Sequence, residues 1–581
     1  MVSSICYPTV SMDTYSATDV VTMVNRLQLL SSTRPEDIAY TFLVGREGEE
    51  CNITYRELDL AASSLATYLK NNYNHKKSMA ILVYEPGLDF IKSFFACLYA
   101  GWVAIPVSLP RRKNMEEKFN LIVRDSGASL VMSTESLVSR LADETNGNEE
   151  EATITWLATD KLDLETIDEA LSWNIQPDSL ALLQYTSGST SNPKGVMISH
   201  RNIFENQTMI KSSFEHDENS IIVGWLPHYH DMGLIGNILQ PLFAGCRCIL
   251  MSPMLILQHP VRWLQTISKY KATTSGGPNF AFDLCAREIK KKDLAGLDLS
   301  SWDLAFCGAE RIHPNTLKQF SKKFKSIGFK ERSYYPCYGL AEATLIVTGG
   351  EKRQNPIMRY FDKDQLEKNQ AKQIKWIKRN VIYLAGCGQA LLNGEILIVD
   401  PETLNPTAEQ EVGEIWISGG NVAQGYWNRA EETKETFNAF TNGKGPYFRS
   451  GDLGFIQDGE LFVTGRRKEL IIIRGQNIYP HDVEQITTNC HPELRPNCCI
   501  AFSATHDSEE HLVIFVESKS RRMKNVDEAK EKIQKTIVDE YGVRASLIEI
   551  LDPLGLPRTS SGKLQRVLCR QRYLDSLSPE K

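Results

Sequence analysis

An α/β fold, with a large N-terminal body followed by a small α+β domain, is predicted by three features of the sequence. Helical patterns such as YRELDLAASSLATYLKNN alternate with short apolar runs such as MAILVY, WVAIPV and ASLVMS. That is the rhythm of helices crossing between parallel strands. The chain has 581 residues, more than one compact core holds, so at least one further domain is required. Its character also changes along its length. From about Glu411 the apolar runs shorten into strands with turns, EIWISGG and ELFVTG, a β-rich unit. Beyond Lys468, HDVEQITTNC, CCIAFSA, HLVIFVES and the charged helix VDEAKEKIQKTIVDEYG make a separate α+β unit. The expected division is residues 1–467 and 468–581.

Taken in order, the N-terminus MVSSICYPTVSMDTYS lacks the basic start and apolar core of a secretory signal. Between Lys92 and Arg111 runs an uncharged stretch, SFFACLYAGWVAIPVSLP, long enough to test as a membrane span. Gly101, Pro106 and the β-rich WVAIPV divide it into a helix ending near Ala100 and a buried strand, so no span is expected. Later apolar runs, ALLQYTSGST, IIVGWLPHYH, CRCILM and WDLAFCGAE, each open into small or polar residues. Such strand ends are where open α/β sheets place ligands. The charged, amide-rich run 351–380 reads as a surface insertion.

Composition narrows the function. Sixty-five Lys and Arg against seventy-two Asp and Glu leave a formal charge of −7, which argues against a general nucleic-acid binder. The thirteen cysteines include no Cys-x-x-Cys spacing, so neither a zinc site nor a disulfide framework is expected, and reduced thiols fit a cytoplasmic protein.

Directly after the apolar run SLALLQ comes Tyr185-Thr186-Ser187-Gly188-Ser189-Thr190-Ser191-Asn192-Pro193-Lys194-Gly195. Small residues let backbone N–H groups approach phosphate oxygens, hydroxyls add donors, and Lys194 would neutralise a leaving pyrophosphate. A Walker loop is disfavoured, because Gly195 follows Lys194 where Ser or Thr is needed. Gly308-Ala309-Glu310, Tyr338-Gly339-Leu340-Ala341-Glu342, Arg449-Ser450-Gly451-Asp452, Gly465-Arg466-Arg467-Lys468-Glu469 and Pro557-Arg558-Thr559-Ser560-Ser561-Gly562-Lys563 follow. In this order the motifs resemble those of the adenylate-forming superfamily: acyl-CoA synthetases, luciferases and nonribosomal peptide adenylation domains. The resemblance spans nearly the whole chain. It implies two αβ subdomains plus a β-rich one in the body, a mobile C-terminal domain, and adenylation of a carboxylic acid with ATP and magnesium.

Each match then takes a role. Thr186, Ser187, Gly188, Ser189, Thr190 and Lys194 would bind the phosphates. Tyr338 offers a flat face to adenine, and Gly308, Ala309, Glu310 and Gly339 belong to the same nucleotide wall. Glu342 would hold magnesium. Asp452 can accept both ribose hydroxyls, and Arg466 adds a fork of donors near ribose or phosphate. Lys563 would be catalytic, meeting charge as it builds on the carboxylate and α-phosphate. Lys468 matches the hinge on which the small domain pivots.

Trp225-Leu226-Pro227-His228-Tyr229-His230-Asp231-Met232-Gly233-Leu234 resembles the fatty acyl-AMP ligase branch, whose HDMGL segment borders the acyl pocket. His230 is the candidate on the substrate side, with a buried structural histidine as the alternative reading. Asp231, Met232, Gly233 and Gly277 join it in the expected acyl pocket. The spacing from Glu342 to Ile398-Val399-Asp400 is longer than in typical acyl-CoA synthetases, and Ala341 replaces their common Thr. Both features suit that branch, in which the insertion hinders the domain movement needed for CoA. The acyl group then passes to an acyl carrier protein, expected here on a separate chain. Lys519, Arg521, Arg522 and Lys524 form a basic cluster that could meet an acidic carrier helix. An acyl-CoA synthetase and a non-catalytic nucleotide-binding regulator remain the alternatives. A nicotinamide oxidoreductase is discarded, because Gly386-Cys387-Gly388-Gln389-Ala390-Leu391 lacks the last glycine of the dinucleotide fingerprint.

Overall fold

The computed structural model describes residues 21–73, 78–109, 113–145, 154–164, 173, 175–186, 193–375, 380–473, 476–506, 509–559 and 562–577. Two large sheets form the body. The first runs Thr155–Ala158, Leu130–Ser133, Met79–Val83, Val103–Val107, Leu180–Thr186 and Lys194–Ser199, parallel throughout except for the final hairpin. The second has nine strands. Its parallel centre is Tyr334–Gly339, Leu304–Cys307, Thr274–Gly277, Ile221–Gly224, Arg247–Met251 and Ile38–Val44, with antiparallel strands added at both edges.

The apolar stretch after Lys92 shows how sequence sets position. Leu88–Ala100 is a helix whose apolar residues surround it on all sides, and nearly all of its side chains are buried. A helix apolar all round belongs in a core or a membrane. Here Gly101, at φ +71°, ends it in the left-handed conformation, and Trp102 N–H turns back to the Cys97 carbonyl. The chain then enters the fully buried strand Val103–Val107. Among the described residues no helix is long and apolar enough to cross a membrane.

The β-rich unit begins earlier than the sequence suggested. Glu395–Val399 is already its edge strand, paired with Gly413–Ser418, which pairs with the long strand Lys444–Gln457. Glu460–Arg466 returns along that long strand, bringing Asp452 opposite Arg466.

The insertion carries regular structure of its own. Met358–Asp362, Gln373–Ile374 and Val381–Ala385 form a three-stranded sheet, with a short helix Lys363–Leu366 between the first two. Phe361 and Leu366 of this segment and Leu384 just after it are buried with Phe455 and Phe462 of the β-rich unit and with Tyr479. The segment is a packed element because a few spaced apolar side chains among many charges suffice to cover one face of the neighbouring sheet.

Past Lys468 a small sheet of Leu494–His506, Glu509–Ser518 and Ala545–Leu551 carries helices Pro480–Asn489, Val526–Tyr541 and Arg566–Leu577. Its apolar core joins Ile471 and Ile478 to Val483, Ile514 and Ile537.

Because Phe361 is fully buried against Phe455 and Phe462, Phe361→Ala should cost about 3–5 kcal/mol in urea unfolding. Phe440→Ala, at a side chain 58% exposed, should stay within about 0.5 kcal/mol of the parent.

Candidate active site

The site lies where the carboxyl ends of the parallel strands meet the small domain. Strand Leu180–Thr186 turns back as Lys194–Ser199 with Tyr185 opposite Gly195 and Thr186 opposite Lys194, so the expected phosphate loop is a hairpin tip. Ser187, Gly188, Ser189 and Thr190 lie outside the described residues; Thr186 and Lys194 mark the two sides of the tip. Gly195 is required there, since a Cβ would meet the Tyr185 ring at 3.0 Å. That ring is fixed by its hydroxyl, which donates to Asp125 at 2.7 Å. The Lys194 ammonium pairs with Glu432 and sits 5.1 Å from the centre of the Tyr426 ring.

Gly308, Ala309 and Glu310 follow strand Leu304–Cys307. A Cβ on Gly308 would stand 2.9 Å from the Cys337 carbonyl, and Ala309 is held at φ +65°. Glu310 accepts the Phe280 N–H at 2.7 Å, and burial pushes its carboxyl above the usual carboxylate range. Next to this wall Tyr338, 8% exposed, donates its hydroxyl to Asp452 Oδ2 at 2.7 Å. Arg466 Nε reaches Asp452 Oδ1 at 2.9 Å, and that carboxylate is the main reason the guanidinium holds its proton more tightly than usual. Both Asp452 oxygens are thereby aimed, with lone pairs left for further donors. Gly339 cannot be replaced without moving the turn, because a Cβ would lie 2.0 Å from the Leu345 carbonyl oxygen.

Glu342, on the single turn Ala341–Ala343, accepts the Tyr426 hydroxyl at 2.9 Å. Burial raises its pKa from the usual value. Tyr426 thus stands between the metal candidate and the phosphate-loop lysine, its hydroxyl on one and its ring beside the other. Nothing in the sequence singled out Tyr426 or Glu432, which lie 84 and 238 positions from their partners Glu342 and Lys194. The pairing of Val196 with Tyr426, the Ala423 N–H on the Glu342 carbonyl and the Arg429–Asp125 pair bring them in.

The HDMGL segment turns tightly into the site. His230 caps the turn Asp231–Gly233, and its Nδ1 lies 2.6 Å from Asp231 Oδ1. The Met232 N–H approaches the same nitrogen at 3.4 Å but donates to Asp231 at 2.6 Å. The shorter contact puts the ring proton on Nδ1, leaving Nε2 as the acceptor. Gly233 and Gly277 are packed against protein rather than against open space. A Cβ would stand 2.0 Å from the Pro227 carbonyl oxygen and 2.7 Å from the Trp225 ring, respectively. Leu234, Ile235 and Leu239, which follow Gly233, are fully buried.

Lys563 enters this site from the other domain. Its ammonium donates to the Ala309 carbonyl at 2.8 Å. Burial lowers its pKa from the ordinary lysine value, opposed by the charges of Asp231 and Glu310. Further contacts hold the two domains in this pose: Arg311 with Asp482 at 2.7 Å, both about one-tenth exposed, and Asn497 with Asp283 at 2.9 Å. Lys468 sits on the exposed turn Arg467–Glu469, directly after the strand that carries Arg466.

A carboxylate held between the Tyr338 hydroxyl and the Arg466 guanidinium, Lys194 beside Tyr426, and a buried lysine from a second domain are the groups this site brings together. The profile of the AMP-binding enzyme family matches residues 30–427. This chain belongs to that family. A second profile, the AMP domain of Disco-interacting protein 2-like proteins, matches residues 468–579. Within the family the chain falls in the fatty acyl-AMP ligase branch of the adenylate-forming enzymes. It is 38% identical over 564 residues to a medium-chain-fatty-acid–[acyl-carrier-protein] ligase of Moorena producens (strain JHB), with 95% of each chain covered. Among solved structures it superposes with a TM-score of 0.88 at 32% identity on one from a study of fatty acyl-adenylate ligases of E. coli and L. pneumophila, covering 97% and 98% of the two chains. It also matches the L. pneumophila fatty acyl-adenylate ligase in complex with acyl adenylate and pyrophosphate, at 36% identity and TM-score 0.75, covering 96% and 97%. The α/β body with a small C-terminal domain is therefore the fold of this branch.

The two histidines of the WLPHYHD segment part company in the structure. His228 is buried against Phe90 at 4.1 Å, and burial lowers its pKa to about 3. Its imidazole should stay neutral at every pH above that value. Histidine ring signals assigned with a His228→Gln variant should accordingly show no His228 titration between pH 8 and 5.

Proposed function

We propose that this protein activates a fatty acid by adenylation and passes the acyl group to the phosphopantetheine thiol of an acyl carrier protein. The observation that carries the reading is the buried Lys563 ammonium, delivered by the small domain to the Ala309 carbonyl beside the Tyr338–Asp452–Arg466 cradle. In the reaction a carboxylate oxygen of the acid bonds to the α-phosphorus of ATP while the bond from that phosphorus to the bridging oxygen breaks. Pyrophosphate leaves and an acyl-AMP remains. No protein nucleophile is needed, so catalysis is positioning and charge stabilisation.

The residues divide the work accordingly. Asp452, aimed by Tyr338 and Arg466, would accept the ribose hydroxyls, while Gly308, Ala309 and Tyr338 flank the base. Lys194, with Thr186 and the residues of the hairpin tip, would exchange Glu432 for the β- and γ-phosphates. Glu342, an oxygen donor held on one side by Tyr426, fits a hard cation. Magnesium there, shared with phosphate oxygens, would neutralise charge on the leaving pyrophosphate. Lys563 would stabilise the negative charge gathering on the α-phosphate and the incoming carboxylate. The Nε2 of His230 faces the substrate side in this reading and orients the acid.

The carrier protein as acceptor is supported by the name of the Moorena relative and by the insertion. Glu367 accepts Gln476 Nε2 at 2.8 Å, and its carbonyl accepts Asn477 Nδ2 at 3.1 Å. The Lys363 ammonium lies 3.6 Å from the centre of the Tyr541 ring and 3.7 Å from Glu540. These contacts join the insertion to the domain that must rotate about Lys468 for thiol transfer, and they favour the reading in which CoA is a poor acceptor. Arg521, Arg522 and Lys524 are exposed on the turn after strand Glu509–Ser518, where they can steer an acidic partner.

A product assay with ATP, magnesium and acids of graded length tests this reading, with CoA and phosphopantetheinylated carrier protein in parallel. Acyl-AMP should form, should drop by at least about 100-fold in Lys563→Ala, and should be drained by the carrier but not by CoA. Efficient acyl-CoA formation would instead make the protein an acyl-CoA synthetase, and no adenylate from any acid would make it a binding protein.

The pH dependence follows from the sign of the Lys563 shift. The protonated ammonium is the active form, and its pKa is lowered by burial. Adenylation should therefore decline on an alkaline limb that begins below the usual lysine range near 10.4. Lys563→Arg, whose guanidinium does not titrate there, should lose that limb in whatever activity remains; a limb that persists would belong to another group.

A further inference from the structure

The loop that carries Lys563 is held from behind by a carboxylate out of contact with water. Glu517 lies at the end of strand Glu509–Ser518, and its side chain is 0% exposed. A carboxylate so placed needs donors on its oxygens. Arg495, on the neighbouring strand, supplies one at 2.7 Å from Oε2. The Lys563 loop supplies a second donor and an opposite charge. Leu556 N–H donates to Oε1 at 3.1 Å, and the Arg558 guanidinium lies 3.7 Å from the same oxygen.

From Arg558 the connection continues to the lysine. One guanidinium nitrogen reaches Cys498 Sγ at 3.2 Å, and the other donates to the Gly562 carbonyl at 3.2 Å. That carbonyl belongs to the peptide group whose nitrogen is Lys563's own. The same N–H donates to Thr559 Oγ1 at 3.0 Å, and the Lys563 carbonyl accepts the Thr559 N–H at 2.7 Å. Both faces of the lysine's backbone are thus gripped, and the grip ends on Glu517. The ammonium is then presented to Ala309, 254 positions earlier in the chain.

We propose that Glu517 is a positioning residue for adenylation, acting through Arg558 and the Leu556 N–H to fix the peptide plane from which Lys563 reaches the nucleotide site. It touches no substrate. Its effect comes from geometry, since a displacement of about 1 Å at a reacting centre can cost on the order of 100-fold in rate. The inference rests on the assignment of Lys563 as the group that stabilises the adenylation transition state.

Pyrophosphate release measured for Glu517→Gln, Lys563→Ala and the double variant tests it. Glu517→Gln should lower kcat about 10- to 100-fold while KM for ATP and for the acid stays within about two-fold, and added to Lys563→Ala it should cost less than about two-fold more. A residue with a merely structural role would lower both backgrounds alike. If Glu517→Gln does not fold, Arg558→Met, at a side chain 30% exposed, carries the same comparison. Arg558→Lys, which keeps the charge but loses the fork, should recover only part of the loss. The inference is overturned by an unchanged kcat in the foldable variant, or by a loss of equal size with and without Lys563. An undiminished kcat in Lys563→Ala would overturn the Lys563 assignment instead.

Discussion

A lysine from one domain buried against the backbone of another is the constraint on which the rest of the structure depends. An ammonium leaves water at a considerable cost unless oxygens and negative charge receive it. Here the Ala309 carbonyl accepts it, and Asp231 and Glu310 lie close enough to offset part of the burial. Much else follows from that requirement. Ala309 must hold a positive φ, which sets how its carbonyl is presented, and Glu310 must be turned by the Phe280 N–H. The Arg311–Asp482 pair and the Asn497–Asp283 hydrogen bond join the small domain to the body in this pose.

The small domain is built to transmit its pose rigidly. Arg566, three residues after Lys563, pairs with Glu469 beside the hinge turn and with Glu484 at 2.7 Å on helix Pro480–Asn489. It also donates to the Ala501 carbonyl at 3.0 Å. These contacts tie the Lys563 loop to the sheet and the first helix of its own domain. The insertion adds a restraint from the body's side, gripping residues just past the hinge through Glu367.

How much of this was legible in the sequence depended on distance along the chain. Gly308-Ala309-Glu310, the strands flanking residues 187–192 and the segment around Lys563 stand out in sequence because each is a contiguous run whose residue types answer local demands for small size, turn or charge. The helix ending at Gly101 was readable for the same reason. Partnerships across long separations were not. Tyr426 with Glu342, Glu432 with Lys194 and Glu517 with Arg558 involve ordinary residues in unremarkable settings, and only folding gives them meaning. The strands within the insertion were not legible because its apolar residues, Phe361 and Leu366, are spaced thinly among charges. The β-rich unit was placed from about Glu411, and its edge strand Glu395–Val399 lies before that point. His230 and His228 could not be separated in sequence, two positions apart, although His230 pairs with Asp231 and His228 packs against Phe90.

The central claim is that the pose seen here, with Lys563 on Ala309, is the one that makes acyl-AMP. Single-turnover acyl-AMP formation, measured in a protein whose Arg311→Cys and Asp482→Cys side chains are joined by a short thiol crosslinker, tests it most directly. The crosslinked protein should form acyl-AMP as fully as the uncrosslinked one and fail to pass the acyl group on. A crosslinked protein unable to form acyl-AMP, yet regaining that ability when the link is cleaved, would contradict it.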